Sequence, residues 1–183
     1  AVSGRPGPVV LALPEDMLVE AAEVADFDPY KSTEPHPGPA DLATFREMLA
    51  KAKAPFVIMG GGGWSAQAEA DLKRFAEANH LPVGASFRCQ DYLDNRHPNY
   101  AGDLGIAPNP ALLSRVQSAD CILVLGARMG EMTTGGYGLL DIPNPSQTMI
   151  HIHSDANEIG RVYRPHLGLA CTASQFLTQA LKT

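Results

Sequence analysis

Four consecutive glycines, Gly60–Gly63, are the first residues whose type and spacing could do chemistry. They follow the apolar run Pro55–Met59 and are followed by Ser65, a residue that often caps a helix. Glycines at such a turn let the backbone approach a phosphate closely, and the free amides and partial positive charge of a helix start attract the anion. The turn therefore predicts phosphate binding, and a tight strand-to-helix turn without a ligand is the alternative.

The spacing Gly61-x-Gly63-x-x-Ala66 also satisfies a loose dinucleotide-binding pattern. That pattern requires an acidic residue about 20 residues further on, where it binds the ribose hydroxyl. The chain has only apolar and small residues there, from Val83 to Phe87. An ordinary nicotinamide-dependent dehydrogenase is therefore disfavoured.

Arg128 is the second candidate, because it follows the most strand-like run of the chain, Cys121–Leu125, after a single turn of Gly126 and Ala127. In open α/β sheets, ligands gather outside the carboxyl ends of the strands. A guanidinium placed there can contact a phosphate through two hydrogen bonds. The alternative is that Arg128 pairs with a carboxylate such as Glu131 or Asp155.

His151 and His153 are the third candidate, because their alternation with Ile152 places both imidazoles on one face of a strand. This spacing is compatible with zinc. However, no motif anchors a third ligand, and Cys171 is only a guess from a neighbouring strand. We therefore interpret the histidines as a structural pair and assign neither metal ligands nor catalytic residues.

The elements that must position these residues alternate regularly. Apolar runs predict strands, and apolar residues three or four apart predict helices. The predicted strands are Pro55–Met59, Leu81–Ala85, Cys121–Leu125, Thr148–His153 and Gly168–Cys171, with a short segment at Tyr100–Ile106; the predicted helices are Asp41–Lys53, Ser65–Asn79, Pro110–Ser118 and Ser174–Leu181, with a helical turn at Asn157–Tyr163. Uniformly apolar strands indicate a parallel sheet covered on both faces. The predicted fold is a Rossmann-like, doubly wound α/β domain of five to six strands in three α/β/α layers.

The beginning of the chain differs from this pattern. Residues 25–39 carry four prolines and predict a linker, because proline suits neither a helix interior nor a central strand. The preceding strand-like run, Val9–Leu13, has no initiator methionine before it and no nearby strand with which to pair. We expect residues 1–24 to be the end of a preceding domain and residues 40–183 to be the main domain.

Composition excludes several function classes. A net charge of −6 without a basic stripe argues against a nucleic-acid partner. No apolar run approaches the roughly 20 residues that span a bilayer. The three cysteines lie far apart, as a reducing compartment permits, and we expect a cytoplasmic protein.

The order of these motifs resembles the central domain of the acetolactate synthase, pyruvate oxidase and oxalyl-CoA decarboxylase superfamily of thiamine-diphosphate enzymes. The matching pieces are Arg5–Val9, Gly60–Gly62, His97-Pro98 with Gly102 and Gly105, Asp120–Arg128, Thr133-Thr134, His151–Asp155 and Glu158–Gly160. The resemblance implies that residues 1–24 close a pyrimidine-binding domain. It also implies a parent enzyme that acts on a 2-keto acid as a lyase or carboligase, a transferase or lyase by class.

In such enzymes the central domain binds the ADP part of a flavin or of coenzyme A, or nothing. The positions that match the flavin-binding relatives are Gly60, Gly61, Gly62, Gly126, Ala127, Arg128, His153 and Ser154. The chain departs from the acetolactate synthase pattern at Met129–Met132, where an aromatic residue and paired aspartates are usual, and at Cys171, where an aspartate is common. These departures favour an empty or weak nucleotide site.

The resemblance also implies that thiamine diphosphate and magnesium are bound elsewhere in the parent. The chain lacks the family's Gly-Asp-Gly motif, and the nearest string, Gly102-Asp103-Leu104, has the wrong context. We expect the isolated chain to be inactive, with the pyrimidine and diphosphate domains of the same polypeptide as partners in a homo-oligomer. The alternatives are a free-standing FAD- or NAD-binding module, like an electron-transfer flavoprotein domain, and an NAD-dependent enzyme of Rossmann or sirtuin-like type.

Overall fold

The computed structural model describes residues 1–2 and 4–182, so Ser3 and Thr183, which fall in the predicted ranges 1–24 and 40–183, lie outside the described residues. The helices are α1 (Pro39–Lys51), α2 (Ala66–Ala78), α3 (Pro110–Gln117) and α4 (Ala173–Ala180). The strands are β1 (Pro55–Met59), β2 (Val83–Ala85), β3 (Tyr100–Asp103), β4 (Cys121–Leu125), β5 (Thr148–His153) and β6 (Leu167–Ala170). Short 3-10 helices occupy Asp16–Val19 and Gln90–Tyr92.

The six strands form one parallel sheet in the order β3-β2-β1-β4-β5-β6. The order reverses at β1 and β4, which pair over their whole length from Pro55 opposite Cys121 to Met59 opposite Leu125. This reversal is the topological switch point at which open α/β sheets bind ligands. The predicted Rossmann-like fold and the strand number of five to six are confirmed.

Alternate residues of the central strands pack on opposite faces of the sheet. Val57 and Met59 face one core cluster, to which α1, α2 and α4 contribute Phe45, Phe75 and Phe176. The second cluster contains Phe56 and Ile58 of β1, Leu112 and Val116 of α3, and side chains of the long connection before β5. Both faces are therefore covered, which explains why the central strands β1 and β4 are apolar throughout.

Local capping explains where the helices begin. The Gly38 amide donates to the Asp41 carboxylate (3.1 Å), and Pro39 occupies the first turn of α1. The Ser65 hydroxyl accepts from the Ala68 amide at 3.2 Å, which confirms the predicted cap of α2. The Asn109 side chain caps α3 ahead of Pro110. These caps satisfy amides that a helix start leaves unpaired.

The boundaries of some elements differ from the predictions. Strand β2 begins at Val83 and not at Leu81, because Pro82 has no amide to donate. Residues 156–160 form hydrogen-bonded turns, such as Glu158 N–H to Asp155 O, and residues 161–163 are bends, so the predicted helical turn Asn157–Tyr163 is not a helix. The strand-like run Val9–Leu13 is exposed and joins no strand of the sheet, and the domain boundary stays a prediction.

Candidate functional site

A cleft of about 980 Å³ lies at the carboxyl ends of β1, β4 and β5. Six of the eight predicted site residues line it: Gly61, Gly62, Gly126, Arg128, His153 and Ser154. Gly60 and Ala127 do not line the cleft and lie in the turns behind it. The structure therefore brings the three predicted motifs together at the switch point of the sheet, while their role in binding stays a prediction.

The two glycine turns touch each other through their backbones. A Cβ atom on Gly61 would collide with the carbonyl oxygen of Gly126, and one on Gly126 would lie 2.5 Å from the carbonyl oxygen of Gly60. Both residues have positive φ values, 72° for Gly61 and 74° for Gly126. Glycine is required at both positions by the close approach and by the backbone conformation.

Arg128 is exposed at the cleft and forms no ion pair or hydrogen bond with any residue in the described part of the chain. Glu131 also lines the cleft without pairing with it. The carboxylate of Asp155 instead accepts hydrogen bonds from Asn157, first of all from its amide, which lowers the pKa of Asp155. The alternative prediction, a pairing of Arg128 with Glu131 or Asp155, is therefore wrong.

The two histidines of β5 differ in burial and in hydrogen-bond partner. His151 is buried, and its Nε2–H donates to the carbonyl oxygen of Ala127 (2.9 Å); desolvation lowers the pKa of His151 to about 4. His153 lines the cleft, and its Nδ1 accepts from the Asp155 amide (3.0 Å). No cluster of three or more metal-ligating side chains occurs in residues 1–2 and 4–182. The interpretation of the two histidines as a structural pair stays a prediction.

Trp64 and Tyr92 support the first turn, and sequence reasoning assigned no role to either. Their rings stack with centroids 4.8 Å apart and 19° between planes. Trp64 Nε1–H donates to Gly60 O (2.9 Å), and the Tyr92 hydroxyl donates to Gly61 O (2.7 Å). The position of Trp64 directly after the glycines was a possible signal, whereas nothing marks Tyr92 within its loop.

With this geometry established, comparison with known proteins identifies the family. A model of the thiamine pyrophosphate enzyme central domain matches residues 42–180. The chain belongs to this family. The family and the fold predicted from the sequence are both confirmed.

The relatives of this chain are larger enzymes, and the chain matches one part of each. The chain is 31% identical over 175 residues to the acetolactate synthase isozyme 2 large subunit of Escherichia coli K12, which covers 92% of the chain and 30% of that protein. It is 30% identical over 183 residues to glyoxylate carboligase of Escherichia coli O157:H7, and this alignment covers 96% of the chain and 30% of that protein. It is 29% identical over 163 residues to sulfoacetaldehyde acetyltransferase of Alcaligenes xylosoxydans xylosoxydans, and this alignment covers 89% of the chain and 27% of that protein. The chain spans about 30% of the length of these curated relatives.

The residues at which this central domain departs from the acetolactate synthase pattern lie in different places. Cys171 is buried in the core and does not line the cleft. Met129 is also buried, with φ at 51°, whereas Gly130, Glu131 and Met132 line the cleft. Only the latter part of Met129–Met132 therefore changes the wall that a ligand would meet. The departure at Cys171 gives no support to an empty site.

The segment before α1 forms one wall of the cleft, which the sequence did not predict. Arg5 lines the cleft and lies 3.8 Å from the buried Glu158 carboxylate, which Arg161 contacts at 3.0 Å. Glu34 hydrogen-bonds to Gln175 of α4. Val2 and residues 4–6 and 32–35 of this segment line the cleft.

The three cysteines are free thiols with different surroundings. Cys121 and Cys171 are core residues, and desolvation raises their pKa values to about 11 and about 12. Cys89 lines the cleft, with its sulfur 3.6 Å from Phe87 O. Among the helices of the described residues, none has the length and apolar character needed to cross a bilayer.

Proposed function

We propose that the chain is the central domain of a cytoplasmic thiamine-diphosphate-dependent lyase or carboligase that acts on a 2-keto acid. The activities for which the relatives are named, those of an acetolactate synthase, a glyoxylate carboligase and an acetyltransferase, support this reaction class. Thiamine diphosphate supplies the nucleophilic carbon, and in this proposal the pyrimidine and diphosphate domains of the same polypeptide bind it with magnesium, in a homo-oligomer.

The segment before α1 supports a further domain in the same polypeptide. Val9, Val10 and Leu11 are 71–92% exposed, and Phe27 is 88% exposed. Side chains of this kind are buried in most folded proteins, and contiguous exposed apolar surface marks an interaction site. A free-standing dinucleotide module, the alternative, would leave this surface in water. A reading frame that ends directly at both ends of this chain would contradict the proposal.

The chain's own role, as we propose it, is to bind the ADP part of a nucleotide cofactor in the cleft. One observation carries this proposal: Arg128 stands unpaired at the cleft, beside backbone turns that only glycine can form. A guanidinium without a carboxylate is available for two charge-assisted hydrogen bonds to a phosphate. The amino end of α2, which Ser65 caps at the cleft, adds favourable electrostatic potential.

Titration calorimetry with ADP, and with FAD as the larger probe, tests this role. We expect saturable binding that Arg128→Ala weakens about tenfold to a hundredfold, because a charged hydrogen bond contributes roughly 1.5–3 kcal/mol. Arg96→Ala is the matched control, since it removes the same charge from an exposed arginine that pairs with Asp94. Binding that survives Arg128→Ala unchanged would show that the site lies elsewhere.

Titration with thiamine diphosphate and magnesium tests the division of labour between the domains. We expect no saturable binding to the isolated chain at micromolar concentrations. Micromolar affinity for thiamine diphosphate would contradict the assignment of that cofactor to the other domains.

A further inference from the structure

Three carbonyl oxygens in the two turns behind the cleft each accept a hydrogen bond from a side chain that does not line the cleft. Trp64 Nε1 donates to Gly60 O (2.9 Å), and the Tyr92 hydroxyl donates to Gly61 O (2.7 Å). His151 Nε2 donates to Ala127 O (2.9 Å) from the neighbouring strand. None of the three donor side chains is among the residues that line the cleft. They can act on a ligand there only through the backbone.

Because the peptide is planar and trans, a hydrogen bond that fixes a carbonyl also fixes the direction of the next residue's amide. A carbonyl and the amide of the next residue point in opposite directions across one peptide plane. Holding Gly60 O and Gly61 O away from the cleft therefore turns the amides of Gly61 and Gly62 toward it. Holding Ala127 O does the same for the amide of Arg128.

These three amides are free to bind a ligand. Gly61, Gly62 and Arg128 all line the cleft, and none of their amides donates to an acceptor in the described residues. Converging backbone amides of this kind form an anion-binding concavity. The Arg128 guanidinium lies at the same cleft and adds a full positive charge.

We propose that Trp64, Tyr92 and His151 form a carbonyl frame, a set of three side chains that orient backbone carbonyls by hydrogen bonds. The frame directs the amides of Gly61, Gly62 and Arg128 at the diphosphate of a ligand. The cleft therefore selects a diphosphate over an uncharged nucleoside. The ligand class rests on the proposed function, whereas the frame is a property of the ligand-free chain. In this arrangement Trp64, Tyr92 and His151 are positioning residues. The burial of His151 keeps its ring neutral near pH 7, so a single N–H is aimed at Ala127.

The Tyr92→Phe variant tests the frame most sharply, because it keeps the ring that stacks on Trp64 and removes only the hydroxyl. We expect ADP to bind about threefold to tenfold more weakly, as the loss of one neutral hydrogen bond predicts, with adenosine binding unchanged. Tyr100→Phe is the matched control, since Tyr100 is half-buried on β3 and its hydroxyl forms no hydrogen bond in the described part of the chain. Unchanged ADP affinity, or an equal loss for ADP and adenosine, would overturn the selectivity.

A ligand-free measurement separates the frame from the proposed function. In the NMR spectrum of the chain alone, the Gly62 amide resonance should shift and its solvent exchange should accelerate in Tyr92→Phe but not in Tyr100→Phe. An unchanged Gly62 amide would overturn the frame whether or not ADP binds. A wild-type chain that binds no ADP but shows the Gly62 change would refute the proposed nucleotide role and support the frame.

His151 offers a rescue experiment on the second turn. His151→Leu removes the donor to Ala127 O, whereas His151→Gln retains an N–H group. We expect ADP affinity and the Arg128 amide resonance to change in the leucine variant and to recover at least partly in the glutamine variant. If both variants behave alike although both remain folded, His151 contributes packing alone and the frame loses its third member.

Discussion

The segment before α1 and the sheet domain after it use similar apolar residues in opposite ways. Val10 and Phe27 of the first region are 92% and 88% exposed, whereas Phe45 of α1 is 2% exposed. The sheet gives each helix an apolar face on which to pack, and the segment has only the 3-10 helix Asp16–Val19 and no face of its own. Burial of an apolar side chain therefore depends on the available surface and not on its type. That another domain covers the segment stays our proposal.

The largest expected difference between the two regions comes from one phenylalanine in each. Phe45 packs edge-on against Phe176, with centroids 4.8 Å apart, and touches Phe75. Phe45→Ala should lower the free energy of unfolding by about 3–5 kcal/mol, because it opens a cavity in the core. Phe27→Ala, the matched control, should change it by less than about 0.5 kcal/mol. Urea denaturation followed by Trp64 fluorescence measures both, and equal effects would abolish the distinction.

Glycines sharpen the same comparison at the level of the backbone. Gly61 has a positive φ and no room for a Cβ beside Gly126, whereas Gly7 in the segment has nothing within 4 Å of that position. Gly61→Ala should destabilise the chain by about 2–4 kcal/mol, from the strained conformation and the forced backbone shift. Gly7→Ala should be neutral to within about 0.5 kcal/mol. Thermal denaturation of both variants measures these effects. A Gly61→Ala variant as stable as the wild-type chain would show that the two turns can shift to accommodate a Cβ atom.

The sequence predicts those parts of the molecule that depend on local pattern. The bounds of β1, β4 and β5 agree with the predicted runs, because β1 and β4 are continuous apolar stretches and β5 carries Met149, Ile150 and Ile152. The two turns were found because glycine and Arg128 at strand ends are chemically conspicuous. The same local pattern also indicates a strand at Val9–Leu13. No strand forms there, because a strand needs a neighbour that supplies hydrogen bonds.

Long-range contacts could not be predicted in this way. Tyr92 reaches Gly61 from a position 31 residues further along the chain. No periodicity or spacing encodes such a contact, because it depends on how two loops leave adjacent strands. Cys171 shows the same limit, since only the fold reveals that its side chain packs in the core and does not line the cleft.

The stability of the sheet domain should depend on pH. Desolvation lowers the pKa of His151 to about 4 in the folded chain, while the unfolded chain titrates near 6.5. Between these values the unfolded state binds more protons, so stability is present above about pH 6.5 and falls as pH falls toward 4. The loss should be about 2 kcal/mol between pH 7 and pH 5.

Urea denaturation at the two pH values measures this loss. The His151→Phe variant should show a smaller loss than the wild-type chain, because it has no imidazole to protonate at this site. His36→Phe removes an exposed imidazole from the segment before α1 and should leave the wild-type pH dependence unchanged. Identical pH dependence in the wild-type chain and His151→Phe would contradict the prediction.

The smallest expected effect belongs to the removal of the segment itself. A chain that begins at Pro37 keeps Gly38 and Asp41 to start α1, and it loses the contacts of Arg5 with Glu158 and of Glu34 with Gln175. Arg5 and Glu34 are exposed, so each of these contacts contributes at most about 1 kcal/mol, and the buried Glu158 keeps Arg161 at 3.0 Å. The free energy of unfolding should therefore fall by less than about 1 kcal/mol, while self-association should decrease because the exposed apolar residues are gone. A loss above about 2 kcal/mol would show that the segment belongs to the folding unit of the sheet domain, and the contrast between the two regions would then be one of exposure alone.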